Sequence, residues 1–353
     1  MDRAFWQGKR VLVTGHTGFK GSWLSLWLQH LGAEVVGYSL PPPDTPNLFT
    51  IAAVADGMKS IFGDIRNLDM LRAIFDKYKP EVVFHLAAQS LVRASYSDPV
   101  RTFTTNVVGT VHVLEAARMN AGVRSLVNVT SDKCYDNREW VWAYRECDPL
   151  GGRDPYSSSK GCAELVTAAY RDSFFSGFGN EIAVASARAG NVIGGGDWAE
   201  DRLVPDLVRA IQRKEPLVVR NPNAIRPWQH VLEPVSGYLL LAERLWEEGP
   251  RYAQAWNFGP NIDDTKPVRW IVEQLTQFWG EGARWTIDAS PHPHEAQNLT
   301  LDSSKARALL GWRPRWTIDK AMTSVVEWYK AYWDNQSMRP IAINQITAYS
   351  EAG

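Results

Sequence analysis

The stretch Val11–Gly21, reading Val-Leu-Val-Thr-Gly-His-Thr-Gly-Phe-Lys-Gly, constrains this chain more than any other. Three apolar residues, Val11, Leu12 and Val13, run towards Gly15, and an amphipathic segment with Trp23, Leu24, Trp27, Leu28 and Leu31 follows Gly21. Buried strand, glycine turn and helix, in that order, predict the first unit of a dinucleotide-binding sheet. Gly15 permits a sharp turn off the strand, Gly18 lets backbone approach a pyrophosphate, and Gly21 lets the helix pack closely. Free N–H groups and the positive end of the helix dipole then face the phosphates. Thr17, Phe19 and Lys20 are their neighbours in the loop. The spacing is G-x-x-G-x-x-G, not G-x-G-x-x-G, and three glycines alone would also suit a plain structural turn.

At 353 residues the chain is long enough for two ordinary domains, or one large α/β domain with an appended lobe. Apolar residues at 45% and charged ones at 22% exclude disorder. A net charge of -1 supplies no basic field, so nucleic acid is not expected as a partner. No run approaches the roughly 18 to 20 apolar residues of a membrane span. Met1 to Trp6 leads straight towards the first strand, which predicts no signal peptide. Cys134, Cys147 and Cys162 are an odd number without metal spacing. They suit a reducing, cytoplasmic setting and predict no metal site.

Strands and helices then alternate. Glu34–Tyr38 is expected as a second strand, ended by Pro41, Pro42 and Pro43. An acidic residue usually stands at that strand end to bind ribose hydroxyls; here Tyr38 and Ser39 stand there, and no arginine follows to hold a 2′-phosphate. The residues therefore leave NAD and NADP both open. Ile61-Phe62-Gly63-Asp64-Ile65 ends a third strand and places the Asp64 carboxylate to meet an adenine amino group. Val82–Leu86 is a fourth strand, running into the small residues Ala87 and Ala88 and then Gln89, where a flat ligand can slide past the backbone. A long helix follows from about Pro99 to Met119 and includes Asn106. Ser125–Thr130 and Ile182–Arg188 complete a parallel, doubly wound α/β sheet.

Two clusters sit at the carboxyl side of that sheet: Thr130-Ser131-Asp132-Lys133 at a strand end, and Pro155-Tyr156-Ser157-Ser158-Ser159-Lys160 at a helix start. Tyr156 and Lys160, four apart, share a helical face. A lysine beside a phenol favours the phenolate, and so is expected to lower the tyrosine from about 10 towards neutrality and make it a usable base. Alone, Tyr-x-x-x-Lys is a common accident. Behind a glycine loop, and beside a hydroxyl–carboxylate–amine run, it is a candidate active site.

These motifs resemble those of the extended short-chain dehydrogenase/reductases, and within them the nucleotide-sugar 4,6-dehydratases. The likeness runs from about Lys9 to Trp333. It rests on Thr-Gly-His-Thr-Gly-Phe-Lys-Gly, His85-Leu86-Ala87-Ala88, Thr105-Asn106-Val107, Tyr156-x-x-x-Lys160, Arg188-Ala189-Gly190-Asn191 and Arg226-Pro227-Trp228. Most of these dehydratases carry Thr-Asp-Glu after the central strand. Ser131-Asp132-Lys133 is the variation of the CDP-glucose branch, so the resemblance implies CDP-glucose as substrate and NAD as cofactor, in deoxysugar biosynthesis. It implies catalytic roles for Ser131, Asp132, Lys133, Tyr156 and Lys160. Its cofactor contacts would be Gly15, Thr17, Gly18, Phe19, Lys20, Gly21, Asp64, Ile65, Leu86, Ala87, Ala88, Asn106, Tyr156 and Lys160. A homodimer or homotetramer is also implied, through helices near Phe103–Arg118 and Tyr156–Arg171. The missing acidic residue after the second strand departs from the pattern and predicts loose NAD retention.

Beyond residue 188 the composition shifts. Residues 1–188 are expected to form the dinucleotide-binding domain, 189–335 mainly a nucleotide-sugar lobe, and 336–353 a tail without period trailing over the surface. Asn191-Val192-Ile193-Gly194-Gly195-Gly196-Asp197-Trp198 suits a loop closing over a nucleotide, or a plain connector. Helices are expected at Val204–Ile211, Val268–Trp279 and Ser303–Leu310, with Asp302 as cap and Gly311 as stop. Arg226 can grip two phosphate oxygens at once, although a surface salt bridge would explain it too. Gln89, Arg93, Ser131, Asn191, Asp197, Trp198, Arg226 and His294 are the candidate substrate contacts. A UDP-sugar 4-epimerase would use the same tyrosine and cofactor but needs no acid–base pair to expel water. A non-enzymatic NAD(P)-binding regulator would need neither Tyr156 nor Lys160.

Overall fold

Strands that are apolar along their whole length, not on alternate positions, must be covered on both faces. Such runs make the central sheet in the computed structural model, which describes residues 1–42, 46–175, 182–280, 282–288 and 297–352. The first six strands are β1 (Arg10–Thr14), β2 (Glu34–Ser39), β3 (Lys59–Phe62), β4 (Val82–His85), β5 (Ser125–Val129) and β6 (Ala183–Ala189). Then come β7 (Val192–Ile193), β8 (Leu217–Val219), β9 (Ile225–Pro227), β10 (Gln229–His230), β11 (Ala255–Phe258), β12 (Thr265–Pro267) and β13 (Trp285–Ile287). Seven of these form one sheet in the order β11-β6-β5-β4-β1-β2-β3, with every pairing parallel. This is the doubly wound sheet expected from the sequence. Its order reverses between β1 and β4, so the loops leaving their carboxyl ends diverge and open a crevice.

The helices Phe19–His30, Leu68–Tyr78, Gly109–Arg118 and Pro155–Tyr170 cover the faces. The long helix expected at Pro99–Met119 is interrupted by a π-helical turn at Thr104–Val108, a device often found beside functional sites. In the lobe, β7 pairs with β10, β9 with β12 and β8 with β13. Leu203–Arg213 and Val268–Trp279 are helical as expected. Asp302 Oδ1 accepts from Ser304 N at 2.7 Å, and Gly311 ends that segment at φ 70°.

Two boundaries differ from expectation. The chain does not leave the sheet for good at residue 188, because helix Leu232–Glu248 packs on β5 and β6 and β11 pairs with β6 at the sheet edge. Residues beyond Asp334 do not trail. Met338–Glu351 is a helix that buries Met338, Ala342, Ile346 and Tyr349, spaced four, four and three apart. A helical period was therefore present, but Ile341 and Ile343 lie outside its four buried positions and blur it. The helix lies against Phe19–His30, with Trp27 and Tyr349 edge to face at 5.6 Å and Arg339 Nη2 donating to Gln29 Oε1 at 2.7 Å. The segment expected as a tail thus braces the helix that starts in the glycine loop.

Candidate active site

The crevice deepens into a cavity of about 940 Å³ between sheet and lobe. At its floor is the glycine loop. Gly15 has φ 78°, and a Cβ there would meet Ala87 N at 2.7 Å. A Cβ on Gly21 would come within 2.0 Å of Gly15 O, so the close packing expected of Gly21 is made against the loop, not the sheet. At Gly18 an added Cβ would meet only Gly15 O, at 3.4 Å, leaving open space on the cavity side. Helix Phe19–His30 begins immediately after Gly18. Open backbone at a helix N-terminus fits a dinucleotide pyrophosphate.

Thr17, Phe19, Lys20, Asp64, Ile65, Leu86, Ala87 and Ala88, the other candidate cofactor contacts of this region, line the same cavity. Thr17 Oγ1 hydrogen-bonds Ser39 Oγ at 2.9 Å, so the hydroxyl at the β2 end faces the loop where an acidic side chain was missing. The Asp64 carboxylate is clasped by Arg66, with Nη2 to Oδ2 at 2.6 Å, and this holds its carboxyl below the usual range. Asn106 is not at the cavity wall. It stands one layer behind, accepting from Gln89 N at 2.8 Å and donating to Gln89 O at 2.9 Å and Ser159 Oγ at 2.8 Å. A residue expected to touch cofactor instead ties the loop after β4 to the helix bearing Tyr156.

Ser131, Asp132, Lys133, Tyr156 and Lys160 converge where β5 ends. Ser131 starts a 3₁₀ turn over Asp132–Cys134, which swings Asp132 inward to 2% exposure. Ser131 Oγ donates to Asp132 Oδ1 at 2.9 Å, while Asp132 Oδ2 is buried and has no partner among the described residues. Burial raises the Asp132 carboxyl above its usual range, against the pull of Lys133, Ser131, Arg226 and Lys20. Lys160 Nζ donates to Val129 O at 3.3 Å. Burial lowers it to about 8, partly offset by Glu164.

The depressed tyrosine expected from Tyr-x-x-x-Lys is not found in the protein by itself. Burial pushes Tyr156 up to about 12, and the opposing influences are a hydrogen bond with Ser131 and the charge of Arg202, not Lys160. Desolvation of a phenolate outweighs a cation whose own charge burial disfavours. Beneath the turn lies a buried ion pair, Arg188 Nη2 to Glu164 Oε2 at 2.8 Å, with Glu164 also accepting from Ser186 and Thr130.

Of the candidate substrate contacts, Arg226 is 7% exposed and within electrostatic reach of Asp132. Its guanidinium donates to Ile225 O at 2.9 Å, which places it inside the fold and not in a surface salt bridge. Asn191 lines the cavity. Gln89, Arg93, Asp197 and Trp198 also line it, and the polar groups of the first three are committed elsewhere. The Gln89 amide bonds Leu91 and Thr102, Arg93 pairs with Asp201 at 2.9 Å, and Asp197 pairs with Arg202 at 2.9 Å. Trp198 packs on Tyr329 and Tyr332. His294 lies outside the described residues. Among those described, no cluster of metal-ligating side chains and no membrane-length apolar helix occurs.

Sequence reasoning missed Arg202, which acts on both Lys20 and Tyr156, and Tyr238, whose buried hydroxyl has no partner among the described residues and feels Tyr156 and Asp132. Neither had a local signal. Glu164 did, since it extends the Tyr156–Lys160 stripe by four residues.

The family described as GDP-mannose 4,6 dehydratase matches residues 12–325. The chain belongs to that family. Within it, a CDP-glucose 4,6-dehydratase of Salmonella typhimurium is 53% identical, over 100% of this chain and 99% of that one. Among solved structures, a dTDP-glucose 4,6-dehydratase of Bacillus anthracis in complex with NAD has TM-score 0.76 at 23% identity, covering 95% of this chain and 100% of that one. A UDP-glucose 4-epimerase of Thermotoga maritima with UDP-glucose has TM-score 0.80 at 22% identity, covering 92% and 99%. These two likenesses show the fold of this GDP-mannose 4,6 dehydratase family member.

Proposed function

We propose that the chain is an NAD-dependent hydro-lyase that converts CDP-glucose to CDP-4-dehydro-6-deoxyglucose and water. The observation that carries this is the meeting of Ser131, Asp132, Lys133, Tyr156 and Lys160 in one cavity. The 53% identity to the Salmonella enzyme supports the choice of nucleotide. NAD held at the cradle of Gly15, Gly18 and Gly21 would supply the reversible hydride acceptor that moving a hydride from C4 to C6 requires. Tyr156 takes the proton of the 4-hydroxyl, Ser131 hydrogen-bonds the same oxygen, and Lys160 holds the cofactor ribose. A ketone at C4 acidifies the C5 hydrogen. Lys133 removes that proton, and Asp132 protonates the departing C6 oxygen, as a buried carboxyl favoured in its acid form can do. Arg226 clasps the diphosphate.

The test is incubation with NAD and CDP-, dTDP-, UDP- or GDP-glucose, followed by the alkaline absorbance of a 4-keto-6-deoxy product. CDP-glucose should give it fastest. UDP-galactose formed from UDP-glucose without keto product would make the chain an epimerase, and cofactor binding with no product in any tube a regulator. We further propose a cytoplasmic homodimer. Phe103, Val108 and Leu165 are exposed along Phe103–Arg118 and Tyr156–Arg171, the helices expected to pair, and Val100 and Phe174 are exposed just beyond them. Light scattering of the purified chain tests this.

A further inference from the structure

We propose that the buried pair Glu164–Arg188 is a positioning device, which sets Asp132 and Lys133 at a fixed distance from Tyr156 and Lys160 so that elimination can follow oxidation on one bound sugar. The inference rests on the roles just given, which divide the site into two halves. Tyr156 and Lys160 serve hydride removal at C4. Asp132 and Lys133 serve loss of water across C5 and C6. The halves stand on different elements, a helix and the turn after β5, and both must face the same ring.

One ion pair joins those elements. Glu164 rides on helix Pro155–Tyr170, on the face of Tyr156 and Lys160 and one turn beyond Lys160. Its carboxylate accepts from Thr130 Oγ1, just before the turn, from Ser186 Oγ at 2.6 Å and from Arg188 Nη2 at 2.8 Å. Arg188 Nη1 donates at 2.8 Å to Tyr135 Oη, just after the turn, and its guanidinium lies 4.9 Å from the centre of the Tyr135 ring. Ser131, Asp132, Lys133 and Cys134 are therefore held at both ends by two side chains that are 4% and 3% exposed. Tyr135 Oη carries the constraint on to the sheet edge, donating to Asn257 Oδ1 at 2.7 Å. A planar guanidinium can serve a carboxylate and a phenol at once from fixed directions. Burial disfavours the charge on Glu164, but the charge of Arg188 and the bonds from Arg188, Ser186 and Thr130 hold its carboxyl below the usual range.

The oxidising half has anchors of its own. Ser95 Oγ accepts from Tyr156 N at 3.2 Å, Asp154 Oδ1 accepts from Ser157 N at 2.9 Å, and Asn106 Nδ2 donates to Ser159 Oγ at 2.8 Å. Backbone bonds from Thr130 N to Ala187 O and from Gly151 N to Cys134 O, both 2.9 Å, keep the course of the turn. Loosening the pair should therefore shift Asp132 and Lys133 against an oxidising half that stays in place. A misplacement of about 1 Å can slow a step by roughly 10²-fold.

Removing one charge alone would leave the other buried and unpaired, which endangers the fold. The test therefore combines Glu164→Gln with Arg188→Met, which removes both charges and cuts the link to Tyr135. A second variant, Thr130→Val, frees the other end and keeps the pair. Each is mixed with NAD and CDP-glucose for a single turnover, following reduced cofactor, keto product and exchange of the C5 hydrogen with solvent. Hydride transfer from C4 should stay within about threefold of wild type, while C5 exchange and product formation fall about 10- to 10²-fold and reduced cofactor accumulates. Thr130→Ser restores the hydroxyl and should restore the wild-type balance of the two steps. Oxidation and elimination slowed by the same factor, neither step slowed, or loss of the fold in both variants would make the pair architectural and overturn the proposal. Wild type that makes no product from any nucleotide-linked glucose would instead remove the functional reading beneath it.

Discussion

Asp132 and Glu233 are both buried carboxylates, at 2% and 1% exposure, and they are treated in opposite ways. Glu233, at the start of helix Leu232–Glu248, accepts from Tyr349 Oη at 2.6 Å, Trp316 N at 2.7 Å and Arg315 N at 3.0 Å. Both its oxygens are satisfied, and it fastens the C-terminal helix to the body of the fold. Asp132 has one bond, from Ser131, and one bare oxygen beside the cavity. A buried polar atom without a partner costs about 1–3 kcal/mol, so the fold forgoes stability at Asp132 and not at Glu233. Burial raises both carboxyls, Glu233 to about 7. Of the two, only Asp132 lines the cavity. What separates the carboxylate proposed as catalytic from the architectural one is the unpaired oxygen, not the shifted proton affinity.

Substitutions should pull the two apart. Asp132→Asn keeps the shape and removes the acid, so product formation should fall about 10²- to 10⁴-fold while the melting temperature holds or rises. A clear loss of melting temperature would make Asp132 architectural after all. Lys133→Met should lower turnover by a similar factor, yet leave the single hydride transfer visible as reduced cofactor. With deuterium at C5, solvent exchange should collapse; exchange at the wild-type rate would put the base elsewhere. Tyr156→Phe should slow that hydride transfer itself by about 10²-fold, and near-normal transfer would free Tyr156 of the role. Gly18→Val fills the open side of the cradle and should weaken NAD binding at least about tenfold by calorimetry, with the fold intact. Unchanged affinity would remove the pyrophosphate from this loop.

The smallest effect belongs to Glu233. Its carboxyl lies near 4.5 when unfolded and about 7 when folded, so the folded state holds the proton more tightly. That stabilisation is complete below about 4.5 and is lost as pH rises through about 7. Glu233→Gln should therefore flatten the fall in urea midpoint over this window, while turnover per folded molecule stays the same. An equally steep fall in the variant would assign the pH dependence to another group.

Some of this was written locally in the sequence. The run Val11–Val13, the glycines at 15, 18 and 21, and Pro155 ahead of Tyr156 and Lys160 act over one turn or one strand, so their neighbours in sequence are their neighbours in space. The sheet, the cradle and the helix carrying Tyr156 follow from those. Other properties belong to the tertiary structure alone. That Tyr156 is raised instead of lowered depends on desolvation by the whole pocket, which outweighs the opposing charge of Arg202, distant in sequence. That Asn106 ties the loop after β4 to the helix bearing Tyr156, one layer behind the cavity wall, depends on where Gln89 and Ser159 come to rest. Helix Met338–Glu351 spreads its apolar residues, Ile341 and Ile343 among them, beyond one narrow face and so does not announce itself; it is fixed by Glu233 and Trp27 from far up the chain. Hydrophobic period and turn chemistry are short-range and can be read residue by residue. Burial and electrostatics sum over everything the fold brings near, and exist only once it has formed.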